Sequence, residues 1–142
     1  MDTITGVVKL KLVDANLLLG IDSKGQTVPI GKNLDREPEW WGIKASDMLL
    51  LSAAACSVYD VINILKKQKQ RVRDLEISCS GEQLAEPPYT FVSMHIEYKV
   101  KGDVDAGKLE RAVQLSEEKY CSVISTLRSG LKITSSTEII NE

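Results

Sequence analysis

The chain has 142 residues, of which 43% are hydrophobic and 5% aromatic, a composition typical of one soluble domain, residues 1–142, with an aliphatic core. Lys and Arg number 18 against 20 Asp and Glu, and the formal charge of -2 argues against nucleic acid or an anionic membrane as a partner. The first residues lack the pattern of a secretory signal, and the most apolar run, Met48–Cys56, is too short to cross a bilayer. The three cysteines are an odd number, which argues against a structural disulfide framework. We therefore expect a cytoplasmic protein with reduced or transiently oxidised thiols.

Three strands are predicted near the start of the chain. Apolar residues alternate with lysines from Val8 to Leu12, which is the pattern of a strand with one buried face. A turn at Asp14–Asn16 separates this strand from an apolar run, Leu17–Ile21, and we expect the two to pair. A third candidate strand, Gln26–Ile30, is short, and Pro29 predicts that it lies at an edge.

A long helix is predicted after the loop at 31–42. Ser46 can cap this helix, and the charge of Asp47 complements the positive end of the helix dipole. The first half, Met48–Ala55, is apolar almost all round, so we expect either the sheet or a second subunit to cover it fully. The helix is predicted to end at about Gln70.

Two further strands are predicted to form a hairpin. Apolar and polar residues alternate over Leu75–Ser80 and again over Val92–Val100, which predicts two strands that each bury one face. The connection contains Glu86–Tyr89, with two prolines, and this loop favours an antiparallel arrangement.

The last third of the chain is predicted to be helical and then extended. The pattern turns helical from Asp105, Ser116 can cap a further helix that ends at Gly130, and a final strand covers Leu131–Ile140. Strands, a long helix, strands, helices and a strand form an α+β order.

Cysteines are the residues with the clearest chemical potential. Cys56 lies in the predicted long helix and Cys121 in a charged stretch, and such a pair suggests thiol redox chemistry. In that chemistry one thiolate attacks a peroxide and becomes a sulfenic acid, and the second cysteine condenses with it to a disulfide. Cys56 can instead be a small packing residue beside alanines, and Cys121 can also be structural. Cys79, on the apolar side of its strand, is interpreted as structural.

Other polar and aromatic candidates are weaker. His95 is the only histidine, which excludes a multi-histidine metal site, and it falls on the polar face of its strand. A Cys/His pair requires that the fold bring His95 to Cys56. Trp40–Trp41 can line a hydrophobic pocket, or can be buried at the start of the helix or at a dimer interface. Asp47 is open to two interpretations, a capping charge or active-site support.

Two segments carry a family resemblance. Lys44–Lys67 and Ser116–Val123 resemble the paired cysteine motifs of the OsmC/Ohr family, closest to its OsmC-like branch, and the likeness extends from about Trp40 to Thr134. The resemblance implies an OsmC-like fold, with antiparallel sheets around a long buried cysteine-bearing helix. It also implies an intertwined homodimer with active sites between the subunits.

The resemblance further implies a reaction. Cys56 matches the peroxidatic cysteine of the family and Cys121 the resolving cysteine, which together reduce hydroperoxides, with organic ones preferred. An external dithiol is the reductant, and the resemblance implies no metal, flavin or other cofactor. The family's glutamate and arginine near the thiolate are not matched: the chain offers Asp47 at most, and Lys9 and Lys11 are the cations of the N-terminal strands.

These departures lead to a hypothesis about activation. A cysteine inside an apolar helix ionises poorly because burial disfavours its charge, so we expect a nearby cation, and Arg36 is the candidate. Two rival functions stay open. One is a module that binds a hydrophobic or thiol-reactive small molecule near Trp40 and Cys56, and the other is a redox sensor.

Overall fold

Strands and helices alternate in an α+β order in the computed structural model, which describes residues 1–14, 17–31 and 42–141. The strands are β1 Lys9–Asp14, β2 Leu17–Ile21, β3 Thr27–Ile30, β4 Arg71–Gln83, β5 Phe91–Asp103 and β6 Lys132–Ile140. The helices are α1 Ala45–Lys67, α2 Ala106–Leu115 and α3 Ser122–Leu127, with a π-helix, Ser116–Tyr120, between the last two. The predicted fold class is confirmed.

The chain divides into two units, residues 1–49 and 50–142, and α1 begins in the first and continues in the second. The first unit contains an antiparallel sheet in the order β1-β2-β3. The predicted pairing of the first two strands is confirmed, and β3 begins one residue later than predicted and lies at the edge. Organisation as one domain stays a prediction.

Helix α1 begins at Ala45, so Ser46 lies in its first turn and the prediction that Ser46 caps the helix is wrong. Asp47 is exposed in that first turn, where its charge complements the helix dipole. The helix ends at Lys67 because Lys69 adopts a left-handed backbone conformation, with φ of 58°, and the chain turns there before the predicted end at Gln70.

One stripe of α1 is buried. Its members are spaced by four residues, which places them on one helical face: Ala53, Ser57, Val61 and Leu65. Leu51 is 53% exposed and Tyr59 is 68% exposed on the remaining surface. The sheet of this chain therefore does not cover the helix all round, and coverage by a second subunit stays a prediction.

By length and composition, α1 as a whole is apolar enough to cross a membrane, although the run Met48–Cys56 alone is too short. The core helix of a globular protein meets the same criterion, so this property is weak evidence for a membrane span.

The second unit is built on a sheet in the order β4-β5-β6. Strands β4 and β5 form the predicted antiparallel hairpin, and β5 and β6 are parallel. The parallel pairing requires a crossover, which α2, the π-helix and α3 supply. Every second residue of β5 from Met94 to Val100 is fully buried and joins the α1 stripe in one core: Met94, Ile96, Tyr98 and Val100.

The crossover differs from the prediction of a helix capped by Ser116. Asp105 caps α2 by accepting the N–H of Lys108 at 3.0 Å, and Ser116 continues the helical backbone as the first π-helical residue. The N-cap of α3 is Cys121, and α3 ends at Leu127, three residues before the predicted end. The resolving-cysteine candidate is thus a helix cap, which the sequence did not indicate.

Candidate active site at two cysteines

Cys56 lies on α1 directly beside the buried stripe. Its neighbour Ser57 is fully buried, whereas Cys56 itself is only partly buried. A small molecule can therefore reach its sulfur from one side, while the backbone of the helix fixes the position of the side chain.

Cys121 is held more tightly. It is 1% exposed, and its extended backbone, with φ of -80° and ψ of 107°, interrupts the helical segment. Its Sγ accepts the backbone N–H of Ile124 at 3.5 Å, as capping side chains do. Its own N–H donates to the carbonyl of Ser116 at 2.7 Å, which closes the π-helical turn.

The structure brings the two cysteines together. The thiol of Cys121 and the backbone N–H groups of Ser122 and Val123 lie near enough to the Cys56 Sγ to lower its pKa by hydrogen bonding. The hydroxyl Oγ of Ser122 lies 4.0 Å from the same sulfur. The donors therefore come from the cap and first turn of α3, and they surround one sulfur atom.

These contacts give the two thiols opposite pKa shifts. Burial by itself raises the pKa of Cys56, but the hydrogen bonds from Cys121, Val123 and Ser122 together lower it below its ordinary value. For Cys121, burial and the adjacent Cys56 together outweigh the hydrogen bond from Ile124 and raise the pKa to about 11. The pair titrates together, and the first proton to leave exposes a thiolate on Cys56.

The lowered pKa has consequences for the cation hypothesis. Among the described residues, hydrogen-bond donors lower the pKa of Cys56, and a contribution from a cation stays a prediction. Arg36 lies outside the described residues, as do Trp40–Trp41.

Asp47 is distant along the helix. It precedes Cys56 by nine residues on α1, which corresponds to about 13 Å of helical rise. That separation excludes direct contact with Cys56 of the same chain. A supporting role of Asp47 in the active site stays a prediction.

His95 binds strand β6. Its Nδ1 lies 2.7 Å from the hydroxyl of Thr134, and its Nε2 lies 2.9 Å from the hydroxyl of Ser136. Both ring nitrogens therefore have partners on the face of the sheet opposite the core. Cys79 packs against the core, and burial raises its pKa, in keeping with a structural thiol. Within the described ranges, no group of three or more His, Cys, Asp and Glu residues could hold a metal ion.

A buried polar cluster next to the cysteines escaped the sequence analysis. The hydroxyl of Ser57 is hydrogen-bonded to the hydroxyl of Tyr98, and both side chains are fully buried. The hydroxyl of Ser116 donates to Asp60 Oδ2 at 2.9 Å and lies 3.2 Å from the Ser57 carbonyl. Burial raises the pKa of Tyr98 far above its usual range, although its bond to Ser57 lowers it, so the phenol stays neutral.

The class of protein follows from comparison of the chain with known protein families. Residues 37–136 match the OsmC-like protein family, and the chain belongs to that family. The matched residues include both cysteines and nearly coincide with the span over which the sequence resemblance was found.

Three relatives illustrate the similarity. Protein YhfA of Escherichia coli strain K12 is 34% identical over 134 residues, which cover 93% of this chain and 96% of YhfA. A crystal structure of a hypothetical protein from Aquifex aeolicus is 31% identical, covers 99% of both chains and has a TM-score of 0.85. The fold is also shared, at 13% identity and a TM-score of 0.68, with an organic hydroperoxide resistance protein, OsmC, from Legionella pneumophila, over 97% of this chain and 99% of that one.

Proposed function

We propose that the protein is a thiol-dependent peroxidase that reduces organic hydroperoxides, with Cys56 as the peroxidatic and Cys121 as the resolving cysteine. The observation that carries the proposal is that Cys121 lies close enough to Cys56 for each thiol to shift the pKa of the other. A two-cysteine reaction requires a second thiol beside the attacking thiolate. Membership of a family with an organic hydroperoxide resistance protein among its fold relatives supports a role in peroxide or oxidative stress resistance.

In the first step, the Cys56 thiolate attacks the terminal oxygen of the hydroperoxide. An S–O bond forms, the O–O bond breaks, and the sulfur loses two electrons to become a sulfenic acid. The alkoxide that leaves takes a proton and departs as the alcohol. The lowered pKa of Cys56 raises the fraction of reactive thiolate, and its partial exposure gives the peroxide access.

In the second step, the Cys121 sulfur attacks the sulfur of the Cys56 sulfenic acid. A disulfide forms and water leaves, carrying the sulfenic oxygen and the thiol proton. The high pKa of Cys121, about 11, keeps it as a thiol while Cys56 is reduced. An external dithiol then reduces the disulfide to two thiols and is itself oxidised to a disulfide.

The proposal is tested by peptide-resolved mass spectrometry with thiol alkylation after one equivalent of an organic hydroperoxide. The wild-type protein is expected to lose two hydrogens through a Cys56 to Cys121 link. Cys121→Ser is expected to accumulate a sulfenic acid on Cys56 that dimedone traps, and Cys56→Ser is expected to form neither product. Cys79→Ser is the matched control and is expected to behave like wild type.

Retention of both thiols in alkylatable form would contradict the proposal. Cys56 would then be a packing residue, and the chemistry would have to be sought elsewhere. A link that forms but is not reduced in turnover by any dithiol would favour a redox sensor over an enzyme.

A second candidate function is small-molecule binding, and one observation favours it. The first unit contains a mostly apolar cavity of about 520 Å³. Its lining includes Leu10, Leu18, Val28, Ile30 and Met48. A cavity of this size and character suits a hydrophobic ligand. Native mass spectrometry that finds a retained ligand, with no peroxide turnover, would favour this function.

A further inference from the structure

Ser116 lies at the junction between α2 and the π-helix and contacts α1 through its side chain. Its Oγ donates to Asp60 Oδ2 at 2.9 Å and also lies 3.2 Å from both the carbonyl and the hydroxyl of Ser57. A hydroxyl has one proton, and both the Asp60 carboxylate and the Ser57 carbonyl can only accept; the shorter distance and the negative charge favour Asp60 as the acceptor. Ser57 and Asp60 lie on the turn of α1 that begins at Cys56.

The backbone of the same residue contacts Cys121. The Ser116 carbonyl accepts the Cys121 N–H at 2.7 Å, across a π-helical turn of five residues. π-Helices are rare and occur frequently at functional sites. Ser116 therefore connects the α1 turn of one cysteine, by its side chain, to the backbone of the other cysteine, by its carbonyl.

We propose that Ser116, held by Asp60, is a positioning residue that keeps Cys121 beside Cys56 in the geometry needed for disulfide formation. The inference rests on the proposed function for its catalytic meaning and on the geometry alone for the placement of the two thiols. It assigns Ser116 and Asp60 a task in resolution in addition to their place in the packing of α1.

The reasoning is geometric. Resolution needs the Cys121 sulfur to approach the sulfenic sulfur of Cys56 along one direction, and misplacement by about 1 Å can slow such a step on the order of a hundredfold. Cys121 has an extended backbone at the N-cap of α3. Its N–H donates to the carbonyl of Ser116, and this bond ties Cys121 to the preceding helical segment. Loss of the Ser116 side-chain anchor frees the π-helix to shift relative to α1.

The test compares Ser116→Ala and Asp60→Asn with wild type in two measurements. The first is the decay of the Cys56 sulfenic acid, sampled with dimedone after a hydroperoxide pulse, and we expect it to slow on the order of tenfold in both variants. The second is the pH profile of Cys56 alkylation in reduced protein. We expect its midpoint to rise, because the donors from Cys121, Ser122 and Val123 move away.

Tyr98→Phe is the matched control. It removes a hydroxyl of the same buried cluster whose hydrogen bond is to Ser57, so the bond between Ser116 and Asp60 stays in place. We expect Tyr98→Phe to lower thermal stability and to leave both measurements at wild-type values. The Ser116→Ala/Asp60→Asn double variant is expected to be no slower than either single variant, because both act through one contact.

A Ser116→Ala protein that loses thermal stability but keeps the wild-type decay rate and alkylation midpoint would overturn the proposal. The alkylation profile needs no peroxide. It therefore tests whether Ser116 positions Cys121 beside Cys56 even if the wild-type protein forms neither sulfenic acid nor disulfide. In that case the peroxidase function would fail, and an unshifted midpoint would be a separate failure of the positioning role.

Discussion

The chemistry of the two cysteines depends on an asymmetry between identical side chains. Cys56 receives hydrogen bonds at its sulfur, whereas Cys121 donates its thiol proton while buried. A thiolate that accepts several donors is stabilised, and a buried thiol without comparable donors is not. The two thiols are therefore distinguished by their surroundings, in the direction that their proposed roles require.

This asymmetry predicts different effects for two substitutions at Cys121. Cys121→Ala removes a hydrogen-bond donor from the Cys56 thiolate, so the pKa of Cys56 should rise, and alkylation of Cys56 at neutral pH should slow several-fold. Cys121→Ser keeps a hydroxyl that can donate in the same place, and Cys56 should stay close to wild type. The measurement is the rate of iodoacetamide labelling of Cys56 against pH, read by peptide mass spectrometry.

The sign of the pH dependence follows from the same shifts. As pH rises, Cys56 becomes reactive first, through its lowered pKa, and Cys121 follows only near pH 11. Equal labelling midpoints for the two cysteines in wild type would contradict the asymmetry. Equal profiles for Cys121→Ala and Cys121→Ser would show that the donor is not the Cys121 thiol.

At the residue scale, sequence patterns located the cysteines but not their supports. Both cysteines were found through motifs, because the type and spacing of reactive residues are readable along a chain. Ser57, Tyr98 and Ser116 come from three separate elements, and nothing local indicates that their hydroxyls meet. The sequence offered one weak indication of these supports: Ser57 follows Cys56 directly, and Ser116 is the first residue of the second motif.

At the scale of elements, α1 packs through a narrow stripe. Its four buried positions recur every four residues. The three apolar ones, Ala53, Val61 and Leu65, share a core with alternate residues of β5. A stripe this narrow makes each large member important, because few others hold the helix in place.

The stripe predicts a stability effect at Leu65, which is 1% exposed. Leu65→Ala should lower the free energy of unfolding by about 2 to 5 kcal/mol, because it removes buried methyl groups and leaves a cavity. Leu84→Ala, the same chemical change at a side chain that is 52% exposed, is the matched control and should cost much less. Urea denaturation followed by circular dichroism gives both values, and equal losses for the two variants would exclude the predicted packing.

Sequence patterns predicted the strands of both sheets well and the crossover poorly. Alternation over Leu75–Ser80 and Val92–Val100 reports burial of one strand face directly, so the hairpin was predictable. The stretch from Ser116 to Gly130 was expected to form one helix. It breaks at Cys121, whose sulfur accepts the N–H of Ile124. The same sulfur lies near Cys56, which is 65 residues away in sequence and cannot be recognised from local patterns.

At the scale of the whole molecule, the exposed apolar residues of β1 indicate a missing partner surface. The apolar side chains of β1, and that of Val8 directly before it, are more than half exposed: Val8 73%, Leu10 62%, Leu12 70% and Val13 58%. Soluble proteins rarely leave such a contiguous apolar strand open to water. This exposure supports the proposed homodimer, which the family resemblance implies independently.

The homodimer predicts that a charge on the apolar positions of β1 disrupts association. Leu12→Asp should shift the protein from dimer to monomer at micromolar concentration, because a desolvated carboxylate without a partner disfavours the interface. Lys11→Asp is the matched control: it introduces the same residue one position away, where the alternation of β1 turns the side chain to the opposite face, and it should stay dimeric. Sedimentation equilibrium measures both. A wild-type monomer would overturn the dimer, and dimeric Leu12→Asp would place the interface away from β1.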